Sequence, residues 1–183
     1  MTMLDELHQD HVNLTRLLDM LRQKVAKLRE GEHPNFGLMA DVIDYITNYA
    51  DVHHHPREDQ MYAYFRGRDA ELDKAIDRCE AEHREMKHLG VELSEAVDCI
   101  LHDAVMPMDQ FTDRLEQFVT QQTDHLNLEE GELFPKLQAV ASEEDWQELT
   151  KDLPRPEDPL FGEKQAAQYS ELYRELLAEM VNP

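Results

Sequence analysis

Apolar residues recur along most of the chain in alternating steps of three and four, the pattern of helices that each bury one stripe. Leu4, Leu7, Leu14, Leu18, Leu21, Val25 and Leu28 trace such a stripe from about Thr2 to Glu30, and Gly31, Pro34 and Asn35 end it. A second helix is predicted from about Phe36 to Phe65 through Met39, Val42, Ile43, Ile46, Tyr49 and Ala50. Pro56 falls inside it and is expected to bend it or remove a hydrogen bond. After Arg66-Gly67-Arg68-Asp69, Leu72, Ile76, Cys79, Met86, Gly90, Leu93, Val97 and Ile100 mark a third helix from about Ala70 to His102. After Pro107, Phe111, Leu115, Phe118 and Leu133 mark a fourth from about Met108 to Val140. No strand-period alternation competes with this reading. Four long helices with short loops predict an all-α, antiparallel up-down four-helix bundle over residues 1–140. Residues 151–159 carry three prolines and are expected to be extended. A fifth helix is expected from about Gly162 to Val181, with Tyr169, Leu172, Tyr173, Leu176 and Met180 on one face. Residues 141–183 thus read as a linker and a C-terminal helical extension. Its apolar face is expected to cover its own bundle; the alternative is a homodimer through that helix.

Composition narrows the partners. The 183 residues carry 18 Lys plus Arg against 40 Asp plus Glu, a formal charge of −22, with 41% hydrophobic residues to build a core. That field repels phosphate backbones and anionic lipid, so neither nucleic acid nor membrane is expected. No apolar run approaches the roughly 18–20 residues of a membrane span, and MTMLDELHQDH shows no signal-peptide pattern, so a cytoplasmic protein is expected. Cys79 and Cys99 fall on one predicted helix, about 30 Å apart, too far for a disulfide.

The polar residues that interrupt the stripes are the chemical signal. His11 and His83 each fill one slot of an otherwise apolar series, and the partner helices carry His54-x-x-x-Glu58 and His125-x-x-x-Glu129. The offsets are 72, 71 and 71, so residues 1–68 and 70–140 read as an internal repeat. Residues four apart share a helix face, so each His and Glu can address one metal or two adjacent ones. Four His and two Glu brought to one level of the core predict two divalent cations, because bare buried carboxylates cost several kcal/mol each. Imidazole and carboxylate without thiolate suit Fe, Mn or Zn, with geometry rather than affinity deciding. The glutamates are expected to bridge, and the remaining open positions to take a small ligand. His53 and His55 read as rim residues, His8 as exposed or supporting, and His33 and His102 as helix-end groups. Met61, Tyr62, Met86 and Phe118 are candidates to line the site, as ordinary core residues also would.

The segments His54-His-Pro-Arg-Glu58-Asp and His125-Leu-Asn-Leu-Glu129-Glu, the latter followed by Leu133-Phe-Pro135, resemble the hemerythrin HHE cation-binding family. Asp10-His11 and Glu82-His83-Arg84-Glu85 resemble its leading-helix motifs, and Asp158-Pro-Leu-Phe-Gly162 a tail seen in bacterial members. The resemblance implies a four-helix bundle holding a non-haem di-iron centre that binds O2, NO or peroxide-type ligands. Classical oxygen carriers of the family use five His, with two of them four apart on the third helix. Here Lys87 lies four beyond His83, and His88, five beyond, sits about 140° away around the helix. The set of four His and two Glu is closer to bacterial di-iron proteins linked to repair of iron–sulfur centres. The expected function is binding or sensing of O2, NO or related oxidants in a stress response. The alternatives are di-iron turnover of peroxide, NO or O2, and iron donation or metal handling; the redox partner is open.

Overall fold

A computed structural model describes residues 2–181, with side chains through residue 178; Met180 of the predicted apolar face therefore lies outside the described side chains. All regular structure among these residues is helical. The first helix, α1, spans Met3–Arg29 and opens on a capping box in which Thr2 Oγ1 accepts from the Asp5 N–H and the Asp5 carboxylate accepts from the Thr2 N–H. Gly31, at φ 77°, supplies the left-handed turn that ends it. Asn35 caps the next stretch, which runs as α2 (Phe36–Tyr45), a π-helical segment (Ile46–His54) and α3 (His55–Phe65). The third stretch is α4 (Ala70–Leu101), capped by Asp69; the fourth is α5 (Met108–Leu128), a second π segment (Glu129–Leu133) and α6 (Phe134–Val140).

Pro56 alters the hydrogen bonding of the second stretch, the second of the two outcomes expected of it. Because the proline offers no N–H, the chain widens ahead of it into i→i+5 bonding, the His55 N–H reaching the Ala50 carbonyl. The fourth stretch repeats the device ahead of Pro135, with the Phe134 N–H on the Glu129 carbonyl.

These stretches pack as a helical bundle: α1 lies against α5 and α2, and α4 against α5 and α2. The apolar interior forms two clusters. On α1 the division falls between Leu7 and Leu14, and on α4 between Cys79 and Leu93. His11 and His83 sit in those gaps, so a polar layer divides the core.

The extension departs from expectation at two places. Residues 143–152 form a helix, α7 (Glu143–Asp152), where only linker was expected; Ser142 and Asp145 make its capping box and Leu149 buries its apolar side. The terminal helix, α8 (Ser170–Val181), starts eight residues later than predicted, after a short 3-10 turn at Ala167–Tyr169. The cause is Asp158, whose Oδ1 accepts the N–H groups of Leu160 and Phe161, turning the chain through residues 159–162. A Cβ at Gly162 would sit 2.3 Å from the Asp158 carbonyl oxygen, so the turn requires glycine there. The apolar face of the tail lies on its own bundle: Tyr169, Leu172 and Leu176 are buried in the cluster that includes α2. No helix among the described residues is long and apolar enough to cross a membrane.

Candidate metal centre

All six residues singled out by spacing meet in the polar layer. His11, His54, Glu58, His83, His125 and Glu129 are each at most 5% exposed. Four helical stretches deliver them, and each His-x-x-x-Glu abuts a π segment: His54 ends the first and Glu129 begins the second. The imidazole Nε2 atoms turn toward the two glutamates. His11 Nε2 lies 3.2 Å from Glu58 Oε1 and 3.3 Å from Glu129 Oε2. His54 Nε2 is 3.2 Å from Glu58 Oε1, His125 Nε2 3.3 Å from Glu129 Oε1, and His83 Nε2 3.5 Å from an oxygen of each glutamate. Both carboxylates therefore touch imidazoles from more than one stretch.

The other edge of each ring is held from outside. His11 Nδ1 lies 2.7 Å from Glu130 Oε1, His54 Nδ1 3.2 Å from Asp10 Oδ2, His83 Nδ1 2.7 Å from Asp59 Oδ1, and His125 Nδ1 2.9 Å from Glu82 Oε2. The partners obey one rule. The acid just before each leading-helix histidine holds the trailing histidine of its own half; the acid just after each central glutamate holds the leading histidine of the other half. The signal stood in the sequence as Asp10-His11, Glu82-His83, Glu58-Asp59 and Glu129-Glu130, but adjacency alone does not say which acid meets which ring. Tyr62 completes the layer, its O–H donating to Glu129 Oε1 at 2.5 Å.

Electrostatics follow from this crowding. Burial disfavours the imidazolium, yet the carboxylates outweigh it: Glu130, Glu58 and Glu129 raise His11 to about 9. Glu58 and Asp10 likewise raise His54 to about 10, and Asp59 and Glu129 raise His83 to about 10. Burial and the neighbouring Glu129 push Glu58 upward, but His54 and His11 override them and hold it below its ordinary range. Burial pushes the Cys79 thiol up, with Glu129 and Glu58 adding to it, so the thiol stays neutral although its sulfur lies among the ligand atoms of His125 and Glu129.

The donor chemistry fits a pair of divalent cations. His54 Nε2, Glu58 Oε2, His83 Nε2, His125 Nε2 and Glu129 Oε2 are buried and hydrogen-bond to no protein group. Five unpaired buried polar atoms at one level would cost several kcal/mol together, whereas cations satisfy them and offset the acids. Three groupings place ligand atoms within 4.8 Å of one another: His11, His54 and Glu58; His55, Glu58, His83 and His125; and Cys79, His125 and Glu129. The first two describe a pair of subsites sharing Glu58, and the third puts Glu129 beside His125.

Four other histidines lie as expected. His8 is exposed and reaches Glu130 at 3.1 Å, His53 faces solvent, and His33 and His102 are exposed at helix ends. His55 does not: it is 4% exposed, not a rim residue. The π segment sets more residues to the turn than the 3.6 period used to read the stripe, so His54 and His55 both face inward. Its ring stacks on His83, centroids 4.4 Å apart. Burial and the neighbouring His83 lower it to about 4, which leaves it a neutral imidazole. Higher on the second stretch, the Tyr45 O–H donates to Asp158 Oδ2 at 2.9 Å, away from the layer.

Compared with known families, the chain matches the sequence model described as the hemerythrin HHE cation-binding domain over residues 2–137. No curated protein matches it.

Proposed function

The chain belongs to the hemerythrin HHE cation-binding domain family, and from that premise we propose that its polar layer holds two iron ions and binds or senses O2, NO or a related small oxidant in a stress response in the cytoplasm. His11 and His54 would serve one ion, His83 and His125 the other, with Glu58 and Glu129 between them. When bound, iron would supply reversible electron donation to such a ligand. The protein's own part is positional. Each outer carboxylate keeps a proton on Nδ1 of its ring, which leaves the Nε2 lone pair facing the centre and makes the ring a better donor. The Tyr62 O–H anchors one oxygen of Glu129. Met61, Met86 and Phe118 are buried and restrict water. At −22 the surface favours neither nucleic acid nor membrane, so the partner proposed is a diatomic or peroxide ligand.

The observation that carries the reading is the convergence of unpaired buried Nε2 and carboxylate oxygen atoms on one level while the four outer nitrogens are all occupied. Anaerobic addition of ferrous iron, followed by O2 or NO, tests it. Two iron ions per chain and a visible absorption that returns on removing the gas support binding or sensing. Rapid, irreversible oxidation with consumption of peroxide moves the function to catalysis. Failure to retain iron, or retention unchanged by His54→Ala with His125→Ala, overturns the proposal.

A further inference from the structure

We propose that His55 is a fifth histidine ligand of the metal centre, belonging to the ion held by His83 and His125; this rests on the two-metal reading above. Three observations converge on it. The first is placement: His55 offers a nitrogen that lies, with atoms of Glu58, His83 and His125, in a group whose members are all within 4.8 Å of one another. The second is burial in the same layer, with the ring nearly parallel to His83 (16°) and 5.8 Å from the His125 ring. The third is the acid beside the ring. His55 Nδ1 sits 3.0 Å from Oδ1 of Asp51, one turn earlier and 6% exposed. The other four histidines hydrogen-bond a carboxylate at Nδ1. Asp51 Oδ1 stands on the same side of its ring but off the hydrogen-bond direction, a buried oxygen without a partner, so His55 shares the neighbouring acid though not the bond.

A core histidine that merely packs would need no such resemblance to its neighbours. Space for the Asp51–His55 turn is made by Gly90 of α4, where a Cβ would lie 2.9 Å from Thr47 Cγ2 and 3.6 Å from Asp51 Oδ2. The second half offers no counterpart. At the same offset of 71, Asp51 is replaced by Gln122 and His55 by Leu126, both buried. Leucine cannot ligate, so the near-repeat ends here and the two ions have different surroundings: three imidazoles on one side and two on the other.

The test loads the metal-free protein with cobalt(II), whose ligated imidazoles show separate, strongly shifted N–H proton resonances. Wild type should bind two cobalt ions per chain and show five exchangeable resonances of this kind. His55→Leu, which installs the residue of the other half, should show four and weaken one of the two ions by about tenfold or more. Because that variant could fail to fold, His55→Ala is loaded with and without millimolar imidazole; free imidazole should restore the fifth signal and the lost affinity. Two ions with four resonances in wild type, unchanged in His55→Leu, would overturn the ligand role and leave the two-metal reading standing. Fewer than two ions in wild type would overturn both.

Discussion

The two halves of the polar layer repeat the same His and His-x-x-x-Glu set on different foundations. In the first half the carboxylate behind His54 is Asp10, 6% exposed and paired with Arg155, which arrives from the extension. In the second half the carboxylate behind His125 is Glu82, whose side chain is 23% exposed and pairs at 3.0 Å with Arg78, itself 61% exposed. A partly buried pair between segments, with the Arg155 side chain 32% exposed, is screened less than an exposed i,i+4 pair, which contributes a few tenths of a kcal/mol. The same motif can therefore be braced by tertiary structure in one half and left near solvent in the other. The extension is part of that brace: besides Arg155, the Leu153 carbonyl accepts from Arg57 Nε at 3.0 Å and Asp158 accepts from Tyr45.

The largest effect should come from the groups the halves share. Glu58→Ala or Glu129→Ala should abolish binding of the second metal ion and destabilise the metal-free protein by about 3–5 kcal/mol, since either leaves buried imidazolium unpaired. Metal analysis after gel filtration, with urea unfolding, measures both. Unequal losses between the two variants would break the equivalence of the glutamates. Next, Asp10→Asn should weaken metal binding by roughly 10–100-fold, and Glu82→Gln by less. Competition with a coloured chelator gives the ratio, and equal losses would remove the contrast between the halves.

The pH response of the metal-free protein comes next. His54 stands at about 10 and His11 at about 9, above the ordinary 6.5. Their stabilisation is therefore complete below 6.5 and is lost as pH rises through 9 to 10. Glu58 is held below its ordinary value, so its contribution is present above about 4.5 and is lost as pH falls. His55, lowered to about 4, loses its contribution as pH falls from 6.5 toward 4, so thermal unfolding should show a maximum near pH 6.5, with a decline toward pH 10 and another toward acid. Bound metal should flatten the alkaline decline, because it takes the place of the Nε2 protons. Smallest of all, Arg155→Ala should lower the unfolding free energy by about 1–2 kcal/mol and Arg78→Ala by under 0.5. Parallel urea titrations decide whether the extension braces the first half.

Much of the fold was legible because helix signals are local. The apolar stripes, Asp69 as a cap, and Gly31 and Gly67 as left-handed stops each act within a turn or two. The six central residues were legible for a related reason: a polar side chain in an apolar series stands out, and a doubled spacing makes coincidence improbable. The π segments were not legible, because a 3.6-residue period is built into reading a stripe, and His55 was misplaced with them. Nor was α7, whose ten residues turn only Leu149 and part of Trp146 to the core. The late start of α8 depends on how Asp158 uses its side chain, which no periodicity records.

By itself, the sequence determined that four helical stretches would bury six metal-competent side chains at two matched sets of positions, because helix periodicity and the cost of burying lone charges act residue by residue. Only the tertiary structure decided which carboxylate stands behind which imidazole, that His55 joins the layer, and that Arg155 reaches Asp10 across 145 positions of chain. Those outcomes depend on the rotation and register of whole helices, set by packing two apolar clusters around one polar layer.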